Sequence, residues 1–171
     1  MKRIILTLMA VFICTLLPAK GLSVVSGSIA VLKENSTSTF ELDLTNSTFE
    51  RKENFKEWCG LDYDERVYLM KTTFPERFNE KTKGLRIVPN DEMAKYKIVL
   101  HISNFVRKLG AFYGASAWIR IDGTLTITEV KSGKEVLKCS IEHFQGDQDF
   151  KETDRFPKVV KALAEKLHKL K

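Results

Sequence analysis

Glycine and proline are scarce, at 9 and 4 of 171 residues, which excludes collagen-like, low-complexity and disordered chains. Cysteine is scarcer, with three in all. Cys14 lies in an apolar leader, leaving Cys59 and Cys139, a pair without the ligand spacing of a zinc site. An even count permits one disulfide in an oxidising compartment. A domain of about 150 residues buries enough core to fold without that staple. The expectation is therefore two separate thiols, with Cys139 a small core hydrophobe between Leu137 and Ile141. The three histidines, His101, His143 and His168, form no H-E-x-x-H pair, and no G-x-S-x-G, P-loop or G-x-G-x-x-G occurs. No metal and no cofactor is implied. Nor is there a strong charge of one sign. The formal +6 of the whole chain shrinks further once Lys2, Arg3 and Lys20 leave with the leader, so the clustered basic face of a nucleic-acid reader is not expected.

What the sequence does have begins with that leader. Lys2 and Arg3 precede an apolar run from Ile4 to Leu17, followed by Pro18-Ala19-Lys20-Gly21, the layout of a secretory signal peptide. The run falls short of the ~20 residues that a bilayer-crossing helix needs. Cys14 follows Phe12-Ile13 rather than a small-residue stretch, so lipidation is not expected. The organisation expected is a signal peptide over 1–20 and one α+β domain over 21–171, located in the periplasm or secreted, with no stable membrane span.

Within that domain, the β-branched Gly27–Leu32 and the alternating Phe40–Thr45 predict two strands joined as a hairpin through a polar turn. Val67, Met70, Phe74 and Phe78 then recur at helical spacing, opened by Asp62, Asp64 and Glu65, with a kink or break expected near Thr73 because of Pro75. Leu85–Val88 reads as a short strand. Three alternating runs follow, over 96–106, 117–128 and 135–144, the last two joined at Ser132-Gly133 as an antiparallel hairpin. In the third, His143 is expected to continue the apolar face of Leu137, Cys139 and Ile141. The chain closes on an amphipathic stripe, Phe156, Val159, Val160, Leu163, Leu167 and Leu170, N-capped by Thr153 or Asp154, with Pro157 in the first turn and His168 on the exposed side. The fold class predicted is α+β: two layers, a mostly antiparallel sheet with two main helices packed on one face.

Chemistry is less legible. Phe112, Tyr113 and Trp118 crowd around Gly110 and Gly114, and three aromatics on a glycine-bearing loop form the candidate binding platform. The competing account has them capping the sheet. A catalytic alternative assembles Asp43, Glu41 and His101 on the open sheet face as a small hydrolase-type site. A basic amphipathic last helix raises, more weakly, a membrane-surface role.

The motifs Tyr96-Lys97-Ile98-Val99-Leu100-His101-Ile102, Gly123-Thr124-Leu125-Thr126-Ile127, Ser132-Gly133-Lys134-Glu135-Val136 and Gly146, with the last amphipathic helix, resemble an uncharacterised family of small exported bacterial envelope proteins. The opening Ser26-Gly27-Ser28-Ile29-Ala30-Val31-Leu32-Lys33 is similar to that family too. The resemblance implies a Gram-negative envelope protein laid out like the TolB amino-terminal domain. It carries no catalytic residue. The function expected is a non-enzymatic binding or assembly module with an envelope protein as partner.

Overall fold

The structure, a computed structural model, describes residues 21–109, 117–147 and 152–170. Its elements run β1 (Gly21–Gly27), a 3-10 turn (Ile29–Lys33), β2 (Thr37–Asp43), β3 (Thr48–Phe49), β4 (Glu53–Asn54) and α1 (Phe55–Cys59). They continue with α2 (Tyr63–Lys81), β5 (Arg86–Ile87), β6 (Tyr96–Leu109), β7 (Ala117–Glu129), β8 (Glu135–Gln145) and α3 (Glu152–Leu167). The fold is α+β: eight strands in one sheet, ordered β1-β8-β7-β6-β2-β5, with β3 and β4 extending the β6 edge beyond the end of β2. The meander β6-β7-β8 is antiparallel, whereas β2 and β3 run parallel to β6.

Alternation explains the layering. Ile98, Leu100 and Ile102 of β6, Ile119, Ile121, Leu125 and Ile127 of β7, and Leu137, Cys139 and Ile141 of β8 are all buried, because side chains two apart along a strand share a face. Against that face lie Met70, Phe74 and Phe78 of α2 and Phe156, Val159, Val160 and Leu163 of α3, each at 0% exposure. Cys59 and Cys139 are both buried. Among the described residues no helix is long and apolar enough to cross a membrane.

Several local expectations are corrected. The first two segments make no hairpin: β1 pairs antiparallel with β8, while β2 pairs parallel with β6 near the opposite edge. The chain crosses between them as the 3-10 turn, started by Ser28, whose hydroxyl accepts from the Ala30 N–H. The β-branched composition read as strand is a tertiary contact instead, burying Val31 and Leu32. Pro75 does not interrupt α2, which is continuous from Tyr63 to Lys81. The buried Phe74 and Phe78 hold the turns on either side of it against the sheet, and packing outweighs the one hydrogen bond that proline removes. At the other end, α3 starts at Glu152, so Thr153 and Asp154 lie inside it and Pro157 falls in its second turn.

His143 is exposed, not on the apolar face, because β8 carries a bulge: Ile141 aligns with Gly123 but Phe144 aligns with Ile121. The extra residue shifts the alternation by one, and His143 takes φ +52°. His168 is half-buried rather than exposed, its ring centroid 4.8 Å from that of Phe78.

Candidate functional site

β6 has a bulge of its own. Ile102 pairs with Gly123 and Asn104 with Asp122, leaving Ser103 as the extra residue. Asp122 thus stands on β7 with a bulge in the strand on each side of it, and bulges re-aim side chains. Its Oδ1 accepts the His143 N–H at 2.7 Å and faces His143 Nδ1 at 3.0 Å. Its Oδ2 accepts from Arg51 at 3.2 Å and from the Asn104 amide at 3.3 Å. Burial works against ionisation of this carboxyl, but the His143 N–H, the Asn104 amide and Arg51 outweigh it and hold the group below the ordinary aspartate range.

Asn104, 4% exposed, ties this point to the β3–β4 hairpin. Its Oδ1 accepts from the Thr48 hydroxyl and from the Arg51 N–H, both at 3.0 Å. The hairpin tip adopts left-handed backbone at Glu50 (φ +54°) and Arg51 (φ +59°), conformations that cost non-glycine residues free energy and persist where surrounding contacts fix them. Beneath it an aromatic cluster anchors α1: Phe55 stacks on Phe105 at 4.0 Å between ring centroids, and also packs against Trp58 at 6.2 Å and Phe156 at 5.5 Å. The buried Arg66 lies over Trp58 and Phe156.

The result is a cleft of about 370 Å³ between the hairpin tip and the far end of β6 and β7. Arg51, Lys52, Arg107, Lys108 and Arg120 line it together with His143, and Glu50 is the one acid among the described residues that line it. Arg120 has no ion-pair partner among the described residues, and its Nε is shielded from solvent without a hydrogen bond. A shielded donor without an acceptor is costly. Such a concave group of cations suits an anion: carboxylate, phosphate or sulfate.

Of the expected platform, Trp118 is half-buried on the open sheet face beside this cleft, aligned with Lys108 across the β6–β7 pair. Phe112 and Tyr113 lie outside the described residues. The alternative trio comes together only in part. Asp43 Oδ2 is 3.0 Å from His101 Nδ1, and the Thr45 N–H, which donates to Asp43 Oδ1 at 2.8 Å, is the main reason that this carboxyl sits below its usual range. Glu41 is turned to Lys97 at 2.6 Å instead. The register continues the Asp43–His101 row through Thr124 and Ser140, a line of polar side chains across the solvent-facing sheet. Among the described residues no group of three or more His, Cys, Asp or Glu is placed to hold a metal ion.

Sequence reasoning missed the basic cleft because its cations come from three segments far apart in the chain. One signal was available: the apolar positions of β6 pass from even (Ile98, Leu100, Ile102) to odd (Phe105), the mark of an inserted residue.

The fold and site together define an α+β protein with a cationic cleft at one end of its sheet. No protein-family model matches the sequence, and no curated protein matches it. Among solved structures the chain is similar to PelC from Paraburkholderia phytofirmans, crystallised as a dodecamer, at 11% identity and a TM-score of 0.46, covering 85% of this chain and 92% of that one. A point variant of the same PelC dodecamer gives the same identity and TM-score over 86% of this chain and 95% of that one. An uncharacterised protein is similar at 11% identity and a TM-score of 0.32, covering 81% and 87%.

Proposed function

We propose that this protein is an exported, non-enzymatic binding or assembly module of the periplasm, and that the basic cleft is where it engages an acidic segment of an envelope protein partner. The observation that carries the reading is the convergence of five Lys and Arg side chains on one concavity, with the Arg120 Nε unpartnered among the described residues. Export rests on the basic-apolar leader over residues 1–20. Electrostatic complementarity of this kind steers encounter and sets partner choice, and it weakens with salt.

The test is fluorescence anisotropy of a labelled hexaglutamate peptide against the 21–171 domain. Binding that falls steeply with added salt, and that weakens about tenfold or more in Lys108→Glu/Arg120→Glu, is the expected result. Equal affinity for a hexaglutamine control, or an unchanged affinity in the folded double variant, contradicts it. The hydrolase-type alternative retains one supporting observation, the Asp43–His101 hydrogen bond. Turnover of p-nitrophenyl acetate that disappears in His101→Ala would favour it over the binding reading.

A further inference from the structure

At the opposite end of β6 from the basic cleft, a second concavity of about 320 Å³ opens between the 3-10 turn, the segment after α2 and the end of α3. Close backbone approach creates it. A Cβ on Gly84 would fall 2.4 Å from the Lys33 carbonyl carbon, so only glycine lets the two segments touch there. The Gly84 N–H is held by the Thr82 hydroxyl at 3.1 Å, and the Leu85 N–H by the Leu32 carbonyl at 3.2 Å. The floor is apolar: Ile29 and Leu32 from the turn, Leu167 and Leu170 from the last helix and its extension.

His168 completes the wall without adding charge. Burial pushes its imidazole below the ordinary histidine range, against a hydrogen bond to the Phe78 carbonyl. Its Nε2 is shielded and has no hydrogen-bond partner among the described residues. The rim carries Lys33, Lys81 and Lys83, all exposed, and among the described residues no acidic side chain lines the pocket. Apolar floor and cationic rim are thus separated within one concavity, whose volume is at the low end of the roughly 300–1,000 Å³ of small-molecule sites.

We infer that this pocket binds a free single-chain anionic amphiphile, with its tail on Ile29, Leu32, Leu167 and Leu170 and its carboxylate or sulfate head against Lys33, Lys81 and Lys83. The site is independent of the basic cleft: it shares no lining residue with it, and either reading can fail alone. A short apolar tail gains from leaving water in proportion to the area it buries, and a head placed among lysines snorkelling over that floor gains Coulomb attraction.

The experiment follows the methyl resonances of Ile29, Leu32, Leu167 and Leu170 during titration with decanoate, butanoate and decyltrimethylammonium. Saturable decanoate binding, about tenfold or more tighter than either control and about tenfold weaker in Lys33→Glu/Lys83→Glu, is expected. Ile29→Glu, which places a carboxylate in the floor, abolishes it. The inference is overturned if butanoate binds as tightly as decanoate, if the cationic amphiphile binds equally well, or if the lysine double variant, folded by circular dichroism, is unchanged. Flotation with phosphatidylglycerol vesicles separates the sources: a protein that floats with the vesicles but shows no saturable decanoate shift is a surface binder, and the inference fails.

Discussion

Replacing Asp122 with alanine tests whether the doubly bulged point of β7 holds the basic cleft together. The carboxylate is 17% exposed and accepts from the His143 N–H, the Asn104 amide and Arg51. Arg51 is 69% exposed, so water replaces that contact at little cost, as for any surface ion pair. The Asn104 amide has no such recourse, being 4% exposed. Stranding it and loosening the His143 bulge costs about 3 kcal/mol, counting the charge-assisted bond to the buried Asn104 amide at ~1.5–3 kcal/mol and the one to the exposed His143, which water partly replaces, at ~0.5–1.5 kcal/mol. For a domain of this size that lowers Tm by roughly 6–12 °C at pH 7.

The pH dependence has a fixed sign. The folded carboxyl sits below its unfolded value, so its stabilisation is complete above that unfolded value, about 3.9, and is lost as pH falls through the folded one. The wild type and Asp122→Ala should therefore differ fully at pH 7 in differential scanning calorimetry and converge in strong acid. An Asp122→Ala Tm within about 2 °C of wild type at pH 7 would refute the pinning argument.

Other outcomes follow from the same contacts. Gly123→Ala places a Cβ 2.1 Å from the His101 carbonyl oxygen; the urea midpoint should drop by an amount equivalent to about 1–3 kcal/mol with the m-value unchanged. Phe55→Ala removes a fully buried ring from the cluster that seats α1, and a stability loss of about 3–5 kcal/mol is expected in the same assay. Cys139 is buried, with its thiol pushed up to about 11. In a Cys59→Ser background it should resist Ellman's reagent at pH 8 while folded and react on unfolding; prompt reaction in the folded state would contradict its placement.

The two layers were legible because their signals are periodic and long. β6, β7, β8 and the stripe of α3 each repeat an apolar position often enough to override local noise. What escaped was short or depended on distant partners. β3 and β4 have two residues each, too few for any period, and their place on β6 is fixed by Asn104 and the Phe55 cluster. The 3-10 turn at Ile29–Lys33 has strand-like composition, and only its burial beside β8 decides its form. His143 was misplaced by a one-residue bulge that flips every later side chain. The cleft was hidden for a different reason: Arg51, Arg120 and His143 lie on separate strands or turns, and strand pairing, not sequence proximity, gathers them.

The most direct measurement is an amide chemical-shift map of the 21–171 domain titrated with hexaglutamate. The account predicts saturable shifts concentrated at Arg51, Lys52, Arg107, Lys108, Arg120 and His143. Shifts centred on the Asp43–His101 row, or spread evenly over all exposed lysines, would contradict it.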